Sequence, residues 1–145
     1  EMIATAYALN QTHQSTERNF IISRSTYLTA GRYGGHWTGD NNAQFLDMQI
    51  SVTDLIEFNM FGVPMVGADI CGFNGDTTIE LCSRWMSLGA FYPFSRNHNT
   101  CGAKPQDPPS LGEPVISISR RYLQVRYQIM PYLYTLFFYA HTESQ

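Results

Sequence analysis

Short apolar runs alternate with stretches of helical periodicity along this chain, and that alternation admits few folds. Met2, Ile3, Ala6, Tyr7 and Leu9 fall at helical spacing over residues 2 to 10, and a polar loop to Asn19 leads into the strand-like run of residues 20 to 23. Phe45, Met48, Val52, Leu55, Ile56 and Met60 share one face of a second helix, with Asn41 or Asn42 placed to cap it and Gly62 to stop it. VPMVGAD, residues 63 to 69, reads as a buried parallel strand. Thr77 and Glu80 predict a capping box for a helix through Leu88 that Gly89 ends, and AFYPF, residues 90 to 94, is the next strand candidate. A long loop holding Pro105, Pro108, Pro109 and Pro114 leads to a final helix striped with Ile118, Tyr122, Val125, Ile129, Leu133 and Leu136, which Pro131 is expected to kink.

Short strands alternating with helices of a dozen residues or more imply a parallel sheet with right-handed crossovers, which both doubly wound and barrel folds satisfy. The position of the polar chemistry separates the two. Arg24 follows the first strand, Asp40 follows the GHW segment, Asp69 ends VPMVGAD, and Arg96 and His98 follow AFYPF. A doubly wound sheet concentrates its site at one switch point, whereas a (β/α)8 barrel spreads it over the C-terminal ends of successive strands. No GxGxxG or Walker pattern favours the nucleotide alternative. A complete barrel needs roughly 200 to 250 residues, so the 145 present imply about half of one.

GRYGGHWTGDNN, residues 31 to 42, holds the densest chemistry. Trp37 offers a flat apolar face to a pyranose ring, Asp40 can hold or give a proton, and Gly34, Gly35 and Gly39 let backbone approach a ligand closely. Each polar residue also has a structural reading: Asp69 as a cap, Arg24 as an ion-pair partner at a barrel mouth, His98 as a packed ring. His13 and His141 sit in polar or terminal contexts that imply solvation, and Tyr127, Tyr134, Phe137 and Phe138 form a stripe suited to helix packing.

Charge and cysteine content narrow the partners. A formal net charge of −3 and nine dispersed Lys and Arg leave no basic face for nucleic acid. The longest strongly apolar run, residues 131 to 140, is far short of the roughly 20 residues that span a bilayer, so no membrane segment is expected. The first ten residues lack a basic n-region and a cleavage site and read as the middle of a longer protein. Cys71 and Cys82 stand at a spacing that one turn can bring within disulfide reach, while Cys101 lies alone in the Pro-rich loop; three reduced thiols are the alternative. With the sequon Asn10-Gln11-Thr12, these features lean towards a secretory route and a glycoprotein.

Five segments in order carry a resemblance: ISRST (22 to 26), GRYGGHWTGDN (31 to 41), EFNMFGVPMVGADICGF (57 to 73), RWMSLGAFYPFSRNHN (84 to 99) and RYQIMPYLYTLF (126 to 137). Together they resemble glycoside hydrolase family 31, of the intestinal maltase-glucoamylase and sucrase-isomaltase type. Glucosidase II of that family differs around NHN and lacks the paired cysteines, so the resemblance leans to the digestive and lysosomal α-glucosidases. It implies a (β/α)8 TIM barrel, of which residues 1–145 are one partial catalytic domain, strands five to eight with their helices and no second domain.

The resemblance also implies roles. Asp40 in WTGDN corresponds to the general acid/base; Arg24 in ISRST and His98 in RNHN bind hydroxyls of the glucose in subsite −1; Trp37 and Phe73 line the pocket; Asp69 and Arg96 support them. A disulfide between Cys71 and Cys82 follows from the same resemblance. Retaining glycosidases use two carboxyl groups about 5 to 5.5 Å apart, and the nucleophile's motif, similar to WIDMNE, is expected upstream of Glu1. Asp47 in LDMQ imitates it from the wrong element. The implied activity is a retaining α-glucosidase acting on terminal α-linked glucose of maltose-like oligosaccharides, with no cofactor and no metal. Its partners are the oligosaccharide and the rest of the barrel; its location is extracellular, luminal behind an anchor outside this chain, or lysosomal. Two rivals stand beside it: an inactive sugar-binding fragment, since no nucleophile is recognisable here, and a metal-dependent barrel hydrolase ligating through His36, Asp40, Asp69 and His98.

Overall fold

The computed structural model describes residues 1–13 and 17–143. Helix α1 spans Met2–Thr12, and strand β1, Ile22–Ser23, follows. Residues 14–16, in the middle of the expected polar loop, lie outside the described residues. Strand β2, Gly35–Trp37, comes after a 3-10 turn at Ala30–Arg32, so a tight turn and not a helix joins the first two strands. Helix α2 covers Phe45–Met60, β3 Val66–Gly67, β4 Asp69–Ile70, α3 Ile79–Gly89 and β5 Arg96–Asn97. A short helix α4, Pro108–Leu111, and the long α5, Val115–Glu143, complete the chain.

All strand pairs are parallel. Ser23 pairs with His36, and His36 with Val66; Asp69 pairs with Arg96 and Ile70 with Asn97. Because β3 and β4 are separated only by Ala68, the ribbon runs β1, β2, β3/β4, β5, with one open side at β1 and another at β5 among the described residues. Parallelism puts every strand's C-terminal end on the same edge, which is where a barrel presents its loops.

Several local expectations are corrected. AFYPF is not a strand: α3 runs through Gly89, residues 90 to 94 turn out of it, and the strand that pairs with β4 is Arg96–Asn97. Tyr92 turns inward instead of pairing, its hydroxyl taking the indole N–H of Trp85 at 3.0 Å and meeting Ser51 Oγ at 2.5 Å. Arg126 of α5 donates to the carbonyls of Ala90, Tyr92 and Pro93, which ties α5 to the turn that follows α3. Thr78, not Thr77, caps α3 by accepting from Leu81 N at 3.2 Å, and Glu80 pairs with Arg84 instead of reaching back. Gln44 is the N-cap of α2 and makes no side-chain bond; Asp47 in its first turn accepts from Asn42 N at 2.8 Å. Pro131 does not end α5, which runs on from Val115 to Glu143. His13 is half-buried, 3.9 Å from the Glu17 carboxylate, rather than solvated. Asn10 of the sequon sits within α1, where its Oδ1 accepts from Asn19 Nδ2.

The core lies between the β3/β4–β5 edge, α3 and the start of α5. Ala68, Ile70, Leu81, Trp85, Met86, Tyr92 and Val115 are buried together around the Cys71–Cys82 bond. Amphipathic α3 supplies most of it, burying Leu81, Cys82, Trp85, Met86 and Gly89 along one stripe. The apolar face of α2 is treated differently: Met48 and Leu55 pack on the core while Phe45, Val52, Ile56 and Met60 are exposed. A compact monomer of 16.5 kDa exposes about 7,500 Å², against 9334 Å² here. The excess is the size of a substantial interface. No helix among the described residues is long and apolar enough to cross a membrane.

Candidate active site

Strands β2, β4 and β5 hold Trp37, Asp69 and Arg96, and the loops leaving β1, β2, β4 and β5 carry Arg24, Asp40, Phe73 and His98 to the same edge. Arg24 follows β1 directly and is exposed. Its guanidinium lies over Gly39: a Cβ there would come within 2.8 Å of Arg24 Nε, and Gly39 holds φ +85. The turn therefore needs glycine twice, for its left-handed backbone and for the contact with Arg24. Asp40 comes next, exposed, on the wall of an open pocket shared with Thr38, Asn41, Asp47, Ser51 and Asp54.

Asp69 is fully buried and paired. Arg96 Nη2 donates to Asp69 Oδ1 at 2.6 Å across the β4–β5 register, and the Arg96 guanidinium lies 5.3 Å from the ring centres of both Trp37 and Phe94. Burial raises the Asp69 carboxyl above the ordinary range; the hydrogen bond and charge of Arg96 and the charge of His98 oppose the rise, and Asp40 adds to it. Asp69 Oδ2, Arg96 Nε and Trp37 Nε1 are buried with no protein partner, so the cluster has hydrogen-bonding capacity left to offer. Phe73, just past β4, meets His98, just past β5, with ring centres 5.0 Å apart.

The expected disulfide is present between Cys71 and Cys82, with Cα atoms 4.6 Å apart, and Cys101 is free and exposed. It anchors the turn that carries Phe73. Cys71 holds φ +76 and Gly72 φ +93, and a Cβ on Gly72 would strike the Ala43 backbone at 2.3 Å.

The metal-ligand set is not assembled. His36 is buried on β2, its Nδ1 engaged with Thr26 Oγ1 at 2.7 Å and the Ser23 carbonyl at 3.0 Å, its ring stacked on Phe58. Burial lowers its pKa, against hydrogen bonds to the backbone of Ser23 and Arg24 that raise it. Among the described residues no group of three or more His, Cys, Asp or Glu is placed to hold a metal ion. Asp47 is occupied by Asn42, as a helix-terminal residue is.

The residues that sequence reasoning missed are carboxamides. Asn41, read there only as a helix cap, donates from Nδ2 to the Asp69 carbonyl at 3.0 Å and accepts at Oδ1 from Phe73 N at 2.9 Å, joining the Asp40 loop to the Asp69 and Phe73 turn. Asn97 and Gln106 make a second junction between β5 and the Pro-rich loop. Adjacency to the strand ends was the only signal available for Asn41 and Asn97, and Gln106 gave none.

Parallel strands with charged and aromatic groups gathered at their C-terminal edge are the arrangement of a β/α barrel domain. A model of the glycosyl hydrolases family 31 TIM-barrel domain matches residues 1–136, and the chain belongs to that family. Among its relatives, intestinal sucrase-isomaltase of Homo sapiens is 52% identical over 141 residues, 96% of this chain and 8% of the relative. Lysosomal alpha-glucosidase of Mus musculus is 52% identical over 144 residues, 99% of this chain and 15% of the relative. Of solved structures, a glucosidase II alpha subunit aligns with TM-score 0.92 at 35% identity over 97% of this chain and 15% of that one. A family 31 alpha-glucosidase from Bacteroides thetaiotaomicron aligns with TM-score 0.86 at 35% identity, over 95% of this chain and 24% of that one. The chain thus spans a small part of the proteins it matches.

Proposed function

We propose that this chain forms strands five to eight of the catalytic barrel of a retaining α-glucosidase, which releases glucose from the non-reducing ends of maltose-like oligosaccharides. The observation that carries the reading is the paired Asp69 and Arg96 beside Trp37, with Phe73 and His98 packed together at the neighbouring strand ends, on the edge where a β/α barrel holds its site. The excess exposed surface and the open sides of β1 and β5 support the rest of a barrel as the partner. A disulfide in the core, and relatives named as intestinal and lysosomal, support a secretory-route location.

In this reading Asp40 gives its proton to the glycosidic oxygen as a carboxylate from outside the chain attacks the anomeric carbon. The C–O bond to the leaving sugar breaks, and a glycosyl-enzyme ester forms. Asp40, now a carboxylate, then takes a proton from water as that water attacks the same carbon, releasing glucose and restoring both carboxyl groups. Arg24 and His98 hold glucose hydroxyls, Trp37 and Phe73 wall the ring, and the Asp69–Arg96 pair keeps His98 and Trp37 in place. Two carboxyl groups flanking one bond suffice for this chemistry, so neither a metal nor a cofactor enters it.

The test is Asp40→Asn in the full-length protein. Maltose hydrolysis is expected to collapse while an aryl glucoside with a good leaving group is still cleaved at the first step, and azide is expected to raise turnover by replacing water. Equal loss on both substrates with no azide effect would remove Asp40 from the acid/base role. An inactive sugar-binding protein would instead show glucose binding with no wild-type turnover.

A further inference from the structure

Gln106 lies in the Pro-rich loop after β5, which the mechanism does not use, yet it is 4% exposed. Its Nε2 faces four acceptors: the carbonyls of Ile70 and Gly72, each at 3.2 Å, the carbonyl of His98 at 3.1 Å and Asn97 Oδ1 at 2.9 Å. An amide nitrogen carries two protons. Four oxygens converging on it fix which way the side-chain amide points, and its own Oε1 is left without a partner. The backbone joins in, since Asn97 Nδ2 donates to the Gln106 carbonyl at 3.0 Å.

The four acceptors belong to two site loops. Ile70 ends β4 and Gly72 lies in the turn that leads to Phe73; Asn97 ends β5 and His98 follows it. Phe73 and His98 are the ring pair 5.0 Å apart, and the next backbone link between these loops is Thr100 N to the Phe73 carbonyl at 3.0 Å. β4 and β5 share their last ladder pair at Ile70 and Asn97; beyond it the Thr100 N–H and a weak 3.6 Å contact from Asn97 Nδ2 to Cys71 Sγ cross between the loops, and the Gln106 amide adds acceptors from both of them on one nitrogen. The disulfide does not do this, for it joins Cys71 to α3.

We propose that Gln106 is a positioning residue: its carboxamide ties the turn after β4 to the end of β5 and so sets the separation of Phe73 and His98 that determines how tightly the sugar in subsite −1 is held. This rests on the α-glucosidase reading above. Gln106 touches no reacting atom, so its removal acts on binding and leaves the chemical step.

The experiment is Gln106→Met in the full-length protein, which keeps the side chain's length and takes away both donors. KM for maltose and the inhibition constant of glucose are expected to rise together by roughly tenfold, the loss of about 1.4 kcal/mol of binding shared by ground and transition states, with kcat changed much less. A merely structural role would lower the folded fraction, reducing apparent kcat at unchanged KM; that result overturns the proposal. Hydrogen exchange of the peptides covering residues 70–74 and 96–100 is expected to quicken in the variant, and unchanged exchange in both overturns it too. If Gln106→Met fails to fold, Asn97→Asp, which keeps an acceptor for Nε2 and removes the donor to the Gln106 carbonyl, Cys71 Sγ and Met86 Sδ, is read by the same two measurements, with a KM rise in the same direction expected. If the wild type turns over no maltose, the α-glucosidase reading fails while the exchange data still decide whether Gln106 ties the loops.

Discussion

Asp69 and Arg96 stand opposite one another in the β4–β5 ladder and share a 2.6 Å charged hydrogen bond, with the carboxylate side chain 1% exposed and the guanidinium side chain 35%. The acid is the deeper of the two, so it suffers most of the desolvation, and the arginine spreads its remaining charge over Trp37 and Phe94.

The pair makes a pH prediction. Asp69 is raised above its ordinary pKa of 3.8, so the folded state holds its proton more tightly than the unfolded state. This contribution to stability is complete below 3.8 and is lost as pH rises through the folded-state value. Asp69→Asn has no such loss. Melting temperatures of the two proteins between pH 3 and 7 are expected to show the variant gaining on the wild type with rising pH; a constant difference would contradict the assigned direction.

Arg126 secures α5 to the end of α3. Its three carbonyl partners, at 2.5 to 3.0 Å, are served by one guanidinium fork. Arg126→Ala is expected to cost about 3 kcal/mol in urea unfolding, as charge-assisted hydrogen bonds to buried carbonyls are lost. Arg126→Lys recovers less than half of that, because an ammonium cannot reach three divergent carbonyls.

Gly72 and Gly75 both hold positive φ, and only the first is crowded. Gly75→Ala meets nothing within 4 Å and is expected to cost about 1 to 2 kcal/mol from backbone strain alone. Gly72→Ala drives a methyl into the Ala43 backbone and pushes the β2 and β4 loops apart. Soluble yield of the full-length protein is expected to survive the first substitution and to fall sharply with the second.

Cysteine accessibility follows from the core. Under native, non-reducing conditions an alkylating agent is expected to modify Cys101 alone, with Cys71 and Cys82 labelled only after reduction and unfolding. Replacing both paired cysteines by serine is expected to lower stability by about 3 kcal/mol from the eleven-residue separation they close.

The long helices were readable because periodicity accumulates over many residues. Helices α1, α2, α3 and α5 sit where the apolar spacing placed them, though Thr77 and Asn41 or Asn42 were the wrong caps. The strands were harder, since each pairs over two or three residues. Within AFYPF only Tyr92 is buried, Phe91 is exposed and meets Tyr122 edge-on, Pro93 has no N–H to give, and a single bond from Phe94 N to the Val66 carbonyl stands in for a ladder. Arg24, Asp40, Phe73 and His98 do follow strands, as their motifs suggested, while Trp37, Asp69 and Arg96 lie within β2, β4 and β5 themselves.

The sequence by itself determined the family, the alternating architecture and the residues that carry charge and aromatic surface to the strand ends, because those depend on local spacing and on short motifs. Only the tertiary structure decided which groups meet. Asp69 with Arg96, Asn41 with the Asp69 and Phe73 backbone, and Gln106 with four acceptors on two loops span separations of 8 to 36 residues. A carboxamide or a guanidinium has no preferred partner written in its neighbours along the chain. It takes the unsatisfied oxygens and N–H groups that the fold brings within 3 Å, and burial makes leaving them unpaired too costly.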